Sequence, residues 1–121
     1  MPKRIVRVLE NGRHVSRGAS MYHGRHTMVL DEGETDIVRI ECNEWLDSGE
    51  TVSASALSDQ SGVTITKRNN STSVDLTCSG VTSNGEAALS ITTSAGRVKV
   101  VPLRWRVPER ARVLDAYDFA D

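Results

Sequence analysis

Aromatic side chains are scarce in this sequence: two Trp, two Tyr and one Phe in 121 residues. None falls between Trp45 and Trp105, so any core formed there is aliphatic and small. Cysteine is scarcer still. Two Cys exclude a disulfide-rich scaffold and fit a reducing compartment, with one bridge left open. No apolar run approaches the ~20 residues of a membrane span. Met1-Pro2-Lys3-Arg4 has basic residues with no apolar stretch behind them, so no secretory signal is expected. Neither sign of charge is in excess: 15 Lys+Arg against 16 Asp+Glu gives −1. A nucleic-acid binder relying on a basic field is therefore disfavoured. What remains is one domain-sized chain, long enough to bury a core without metals or disulfides.

The even balance conceals a pattern. Residues 1–30 hold six basic groups, Lys3, Arg4, Arg7, Arg13, Arg17 and Arg25, against Glu10 alone. Residues 31–60 hold nine acids and one base, Arg39. A basic arm followed by an acidic block either folds back on itself or docks onto a partner.

From residue 36 onward the sequence alternates with period two. Val38, Ile40 and Cys42 share one face, as do Val52, Ala54 and Ala56, then Val74, Leu76 and Cys78, then Ala87, Leu89 and Ile91. Val63 and Ile65 sit among Thr and Lys. Such runs, rich in Val, Ile and Thr, are half-buried strands. Between them lie Asp47-Ser48-Gly49, Ser61-Gly62, Asn69-Asn70, Ser79-Gly80, Asn84-Gly85 and Ala95-Gly96, residues that tolerate tight turns. Short strands at this spacing predict an all-β fold, an Ig-like antiparallel β-sandwich over residues 34–107. Pro102 lacks a ladder N–H, which puts the last strand at an edge or gives it a bulge. Trp105 alternates with Arg104 and Arg106 and is expected in the core.

Two segments are expected to flank the sandwich. In the N-terminal arm, 1–33, Ile5–Leu9 and His14-Val15 around Asn11-Gly12 read as a hairpin with a type I′ turn. Arg17–Thr27 has no period and reads as a loop. An isolated hairpin is marginal in water, so the arm must pack on its own sandwich or on a neighbour. The C-terminal tail, 108–121, carries Tyr117 and Phe119 among acids, rings suited to anchoring on a partner. Arg4, Arg7, Arg13, Arg17 and Tyr22 join them as candidate partner-binding residues.

Catalytic chemistry is poorly represented. His14, His23 and His26 could supply metal ligands, but nothing in the spacing fixes their geometry and no metal is expected. Asp31, Glu32, Glu34 and Asp36 follow each other like a solvated linker rather than an acid/base pair. There is no Gly-rich phosphate loop and no Gly-x-Ser-x-Gly. Neither an enzyme nor a cofactor is expected.

One stretch carries a resemblance. Asn43-Glu44-Trp45-Leu46-Asp47-Ser48-Gly49-Glu50-Thr51-Val52 resembles the opening of the fibre-to-tail adaptors of tailed bacteriophages. In that family a Trp-Leu pair precedes a Gly-acidic-Thr turn and a strand. Ser79-Gly80 matches a late Ser-Gly turn, and Ile91-Thr92-Thr93-Ser94-Ala95-Gly96-Arg97 matches a strand ending. The similarity covers about residues 34–107, and the arm has no counterpart in it. It implies a small Ig-like virion protein whose motif residues are Trp45, Leu46, Gly49, Glu50, Gly80, Thr92, Thr93, Gly96 and Arg97.

The expectation is thus a structural virion component, assembled in the host cytoplasm and present as a symmetric homo-oligomer. Its partners would be tail, fibre or major capsid proteins, with no nucleic acid, membrane or small-molecule substrate. As an adaptor it would attach to tail and fibre through its termini. As a capsid decoration (cement) protein it would grip the shell instead. A third reading, a carbohydrate- or host-binding Ig-like module, is disfavoured because loops 47–51, 58–62, 68–72 and 79–86 carry no aromatics.

Overall fold

The computed structural model describes residues 4–22, 24–31, 33–79 and 84–107. Ten strands form: β1 (Arg4–Val8), β2 (His14–Arg17), β3 (Ser20–Tyr22), β4 (Arg25–Val29), β5 (Asp36–Glu41), β6 (Val52–Ser61), β7 (Thr64–Asn69), β8 (Ser73–Ser79), β9 (Gly85–Thr93) and β10 (Val98–Arg106). There is no helix among the described residues. The strands make two five-stranded sheets, β2-β1-β5-β8-β7 and β3-β4-β10-β9-β6, packed as an Ig-like sandwich.

The arm expected outside the sandwich is built into it. β1 lies parallel to β5, pairing Val6 with Ile40, and β4 lies parallel to β10, pairing Met28 with Trp105. The sheets are therefore mixed rather than wholly antiparallel. The change of charge near residue 33 marks no break in them. Arg17–Thr27, expected as a loop, contains β3 and most of β4. The β1–β2 hairpin is present, but its turn differs from type I′. Leu9 and Arg13 are bonded, N–H to carbonyl at 2.6 Å, and Gly12 N–H reaches Leu9 carbonyl at 2.8 Å. That is a three-residue loop, Glu10–Gly12, with Gly12 at φ +83°.

Between the sheets lies one apolar core. Val6, Val8, Val38, Ile40, Val74 and Leu76 face Met28, Leu89, Ile91, Val101, Leu103 and Trp105, all at most 1% exposed. Burying an aliphatic side chain of this size contributes about 2 kcal/mol. Trp105 is in the core as expected.

Contrary to expectation, β10 is the central strand of its sheet and shows no register shift at Pro102. The Thr93 N–H to Arg97 carbonyl bond sets the alternation along the β9–β10 ladder. Pro102, opposite Ala88, falls on a pair that exchanges no hydrogen bonds. Its nitrogen faces β4, whose pairing begins one residue later at Leu103.

Candidate functional site

The residues that carry the family resemblance converge at one end of the sandwich. After β5 the chain turns sharply, with Cys42 carbonyl accepting from Trp45 and Leu46 N–H at 2.9 Å each. A second turn returns it to β6: Glu50 N–H reaches Asp47 carbonyl at 2.9 Å, and Gly49 takes φ +82°. Asp47 N–H in turn donates to Glu50 Oε1 at 2.8 Å. The carboxylate of Glu50 is thereby aimed at the β9–β10 turn.

There it meets Arg97 and Thr93. Arg97 Nε and Nη2 donate to the two carboxylate oxygens at 3.0 and 2.5 Å. Thr93 Oγ1–H donates to Oε2 at 2.5 Å and accepts Arg97 N–H at 3.1 Å. Arg97 also donates to Trp45 carbonyl at 2.8 Å and lies 4.4 Å from the centre of the Trp45 ring. Ser94 closes the turn onto Thr51 with two bonds, at 2.8 and 3.0 Å. Glu50 is 8% exposed and Trp45 7%. Hydrogen bonds from Arg97, then Thr93, then the Asp47 amide hold the Glu50 carboxyl down at about 2. The cluster is a clasp: a fork-on-fork ion pair stacked on an indole, tying two loops together.

Sequence motifs named Trp45, Leu46, Gly49, Glu50, Thr93, Gly96 and Arg97, and all belong to this clasp or its turns. Leu46 packs partly buried against the core, and Gly96 occupies φ +84° in the β9–β10 turn. Thr92 lies one residue away, its side chain on the outward face of β9. Gly80 lies outside the described residues. Sequence reasoning missed Lys99. Its ammonium bonds Gly12 carbonyl at 2.5 Å and stands 5.9 Å from the Trp45 ring, so the hairpin tip joins the same end.

The partner-binding candidates fare differently. Arg4 pairs with Asp36 and donates to Val29 carbonyl at 2.6 Å. Arg7 pairs with Glu44 and lies 3.9 Å from Glu41. For these two, the acidic partner is the acidic block of the same chain. Arg13 and Arg17 are exposed, and neither has an ion pair among the described residues. Tyr22 ends β3, its side chain outside the described atoms; Tyr117 and Phe119 lie outside the described residues.

The outward faces of the two sheets differ in charge. On the first, Arg17, Arg39, Asp75 and Arg68 follow one another across β2, β5, β8 and β7, with Ile5 of β1 between Arg17 and Arg39. Arg39 grips Asp75 with bonds of 2.8 and 3.2 Å, which hold that carboxyl below its ordinary range. On the second, three rows carry no charge: Ala54-Thr92-Val98, Ala56-Ser90-Val100 and Ser58-Ala88-Pro102.

Neither thiol is bridged. Cys42 and Cys78 are free and buried, at opposite ends of the same sheet: Cys78 pairs with Asp36, six residues before Cys42. That separation is roughly 20 Å along a strand, far beyond a disulfide's span. Burial raises both thiols, to about 11 and about 12.

Compared with known proteins, the chain matches no family model, no curated protein and no solved structure.

Proposed function

We propose that the chain is a non-enzymatic structural component of a tailed-phage virion, an Ig-like adaptor between tail and fibre proteins. One observation supports the reading. Two short motifs about fifty residues apart, Trp45-Leu46…Gly49-Glu50-Thr51 and Thr92-Thr93…Gly96-Arg97, form a single bonded unit. Residues that hold each other in place form a pattern with a structural reason to recur together. The resemblance to the adaptor family therefore rests on residues that act as one unit in this chain rather than on scattered letters.

The clasp makes one end of the sandwich rigid, which suits a body transmitting position between larger parts. Attachment then falls to Arg13 and Arg17, exposed on the hairpin, together with Tyr117 and Phe119 of the tail. Weak contacts of this kind become strong when a symmetric assembly presents many copies. With β1–β4 inside the sheets, the arm does not serve as a detached shell clamp, which favours the adaptor over capsid decoration.

The test is to tag the chain in producing cells and count gold-labelled copies on purified particles. Label on the tail or its collar, in a few copies, is the expected result. Hundreds of copies over the shell would replace the adaptor with a decoration protein. Unlabelled particles would overturn both.

A further inference from the structure

His14 and His26 come from different sheets and meet between them. Nδ1 of His14 lies 2.5 Å from Nε2 of His26, with the rings edge to face at 4.7 Å. His26 is fully buried on β4, opposite Leu103 of β10 and Met21 of β3. His14 opens β2, opposite Val8 of β1. The contact closes the side of the sandwich where the chain passes from one sheet to the other, through the tight turn between β2 and β3.

The surroundings fix the proton. Nδ1 of His26 is buried with no hydrogen-bond partner. A bare ring nitrogen is less costly there than an unpaired N–H, so His26 carries its proton on Nε2 and donates it to His14 Nδ1. Each ring is then neutral. A second proton has no good place. On His26 it would sit on the orphaned Nδ1; on His14 it would set two donors against each other at 2.5 Å.

No counter-charge relieves this. The charged group facing the pair is the Lys99 ammonium, from β10; burial first, then this ammonium, lowers His14. Arg13 and Arg25 are the charged neighbours in sequence, and Arg25 lies 3.7 Å from Glu86. No carboxylate among the described residues reaches either imidazole. Burial first, then His14, pushes His26 down to about 4. Two nitrogens 2.5 Å apart also leave no room for a metal between them, since tetrahedral ligands stand roughly 3.3 Å from each other.

We propose that the His14–His26 contact is an acid-sensitive latch between the two sheets, closed while both imidazoles are neutral and opened by proton uptake. The segment it secures is weakly held otherwise. β2 and β3 are edge strands, with ladders of four and three residue pairs. Opening the latch loosens this corner while the β8 and β9 core persists, a local transition rather than global unfolding.

Amide hydrogen exchange on the full chain, corrected for the intrinsic effect of pH, tests this between pH 7.5 and 5. With His26 near 4 when closed and near 6.5 when open, the open population rises roughly 30-fold over that range. The expected result is at least a tenfold loss of protection at Val15, Ser20 and Thr27, with Leu76 and Leu89 unchanged. In His26→Phe, which keeps a ring but takes no proton, the step should be largely lost, because the group whose protonation drives opening is gone. Corner protection that holds steady in the parent chain would overturn the proposal. So would the full loss in His26→Phe, or a His26 ring signal titrating near 6.5 in the parent chain. Should His26→Phe not fold, corner against centre in the parent chain decides.

Discussion

Arg97 lies over Trp45, its guanidinium carbon 4.4 Å from the ring centre, while two of its nitrogens hold the Glu50 carboxylate. One side chain thus satisfies a buried acid, covers an indole and donates to the Trp45 carbonyl. Few substitutions reproduce all three.

Arg97→Lys keeps the charge but loses the planar fork and the stack, so it should lower the urea midpoint almost as much as Arg97→Ala. Trp45→Ala should cost about 3 kcal/mol, as a nearly buried Trp loses its packing and the guanidinium its platform. In a double-mutant cycle, Arg97→Ala combined with Glu50→Gln should destabilise less than the sum of the two single changes. Full additivity would mean that the clasp is not a coupled unit.

The clasp also fixes an acid limit. Glu50 is held at about 2 by Arg97, Thr93 and the Asp47 amide, against about 4.5 for a free carboxyl. Between those values the unfolded chain binds more protons than the folded one, so stability falls as pH drops from 4.5 towards 2. Above 4.5 this contribution is complete and flat. Glu50→Gln should be less stable at pH 7 and lose less on going to pH 3, as read by urea midpoints at each pH. An equal loss in both chains would assign the acid sensitivity elsewhere.

Most strands between residues 36 and 107 were legible because each buries one face only. β6 is the exception: the register shift after Val52 turns Ala54 and Ala56, expected on the same face as Val52, outward and brings Leu57 in against the core. β9 alternates perfectly from Gly85 to Thr93, so period and burial agree. β4 was not legible for the opposite reason. His26, Thr27 and Met28 are all buried, with Thr27 covered on the outward side, and a strand buried on both faces has no alternation. The parallel pairings of β1 and β4 also left no local mark, since their partners lie 34 and 77 residues away. The clasp was visible as motif letters, but the carboxylate–guanidinium–indole geometry was not. The histidines were noticed as possible ligands; which two meet depends on where the chain changes sheets.

Cys42 and Cys78 should be inert in the native chain. Each is 0% exposed, and burial lifts the thiols to about 11 and about 12, so almost no thiolate forms at pH 8. A maleimide at that pH should label neither until urea opens the fold, after which both react. Fast labelling of one thiol under native conditions would show that its end of the first sheet opens locally.

Gly85 and Gly62 face each other where the β6–β7 turn meets the start of β9. A Cβ on Gly85 would stand 2.3 Å from Ser61 carbonyl oxygen, with Gly62 backbone atoms at 3.1 and 3.2 Å. All three are main-chain atoms and cannot swing aside as a side chain could. Gly85→Ala should therefore force the turn away from β9 and destabilise by about 1–3 kcal/mol. Gly96 makes the contrast: nothing lies within 4 Å of its added Cβ, but φ is +84°. There Ala should cost about 1 kcal/mol for conformation alone. Because Asn accepts positive φ, Gly96→Asn should recover part of that loss, whereas Gly85→Asn should be worse than Gly85→Ala. Urea midpoints of the four variants separate a steric requirement from a conformational one. If Asn were as well tolerated at 85 as at 96, the close approach of the turn to β9 would be wrong.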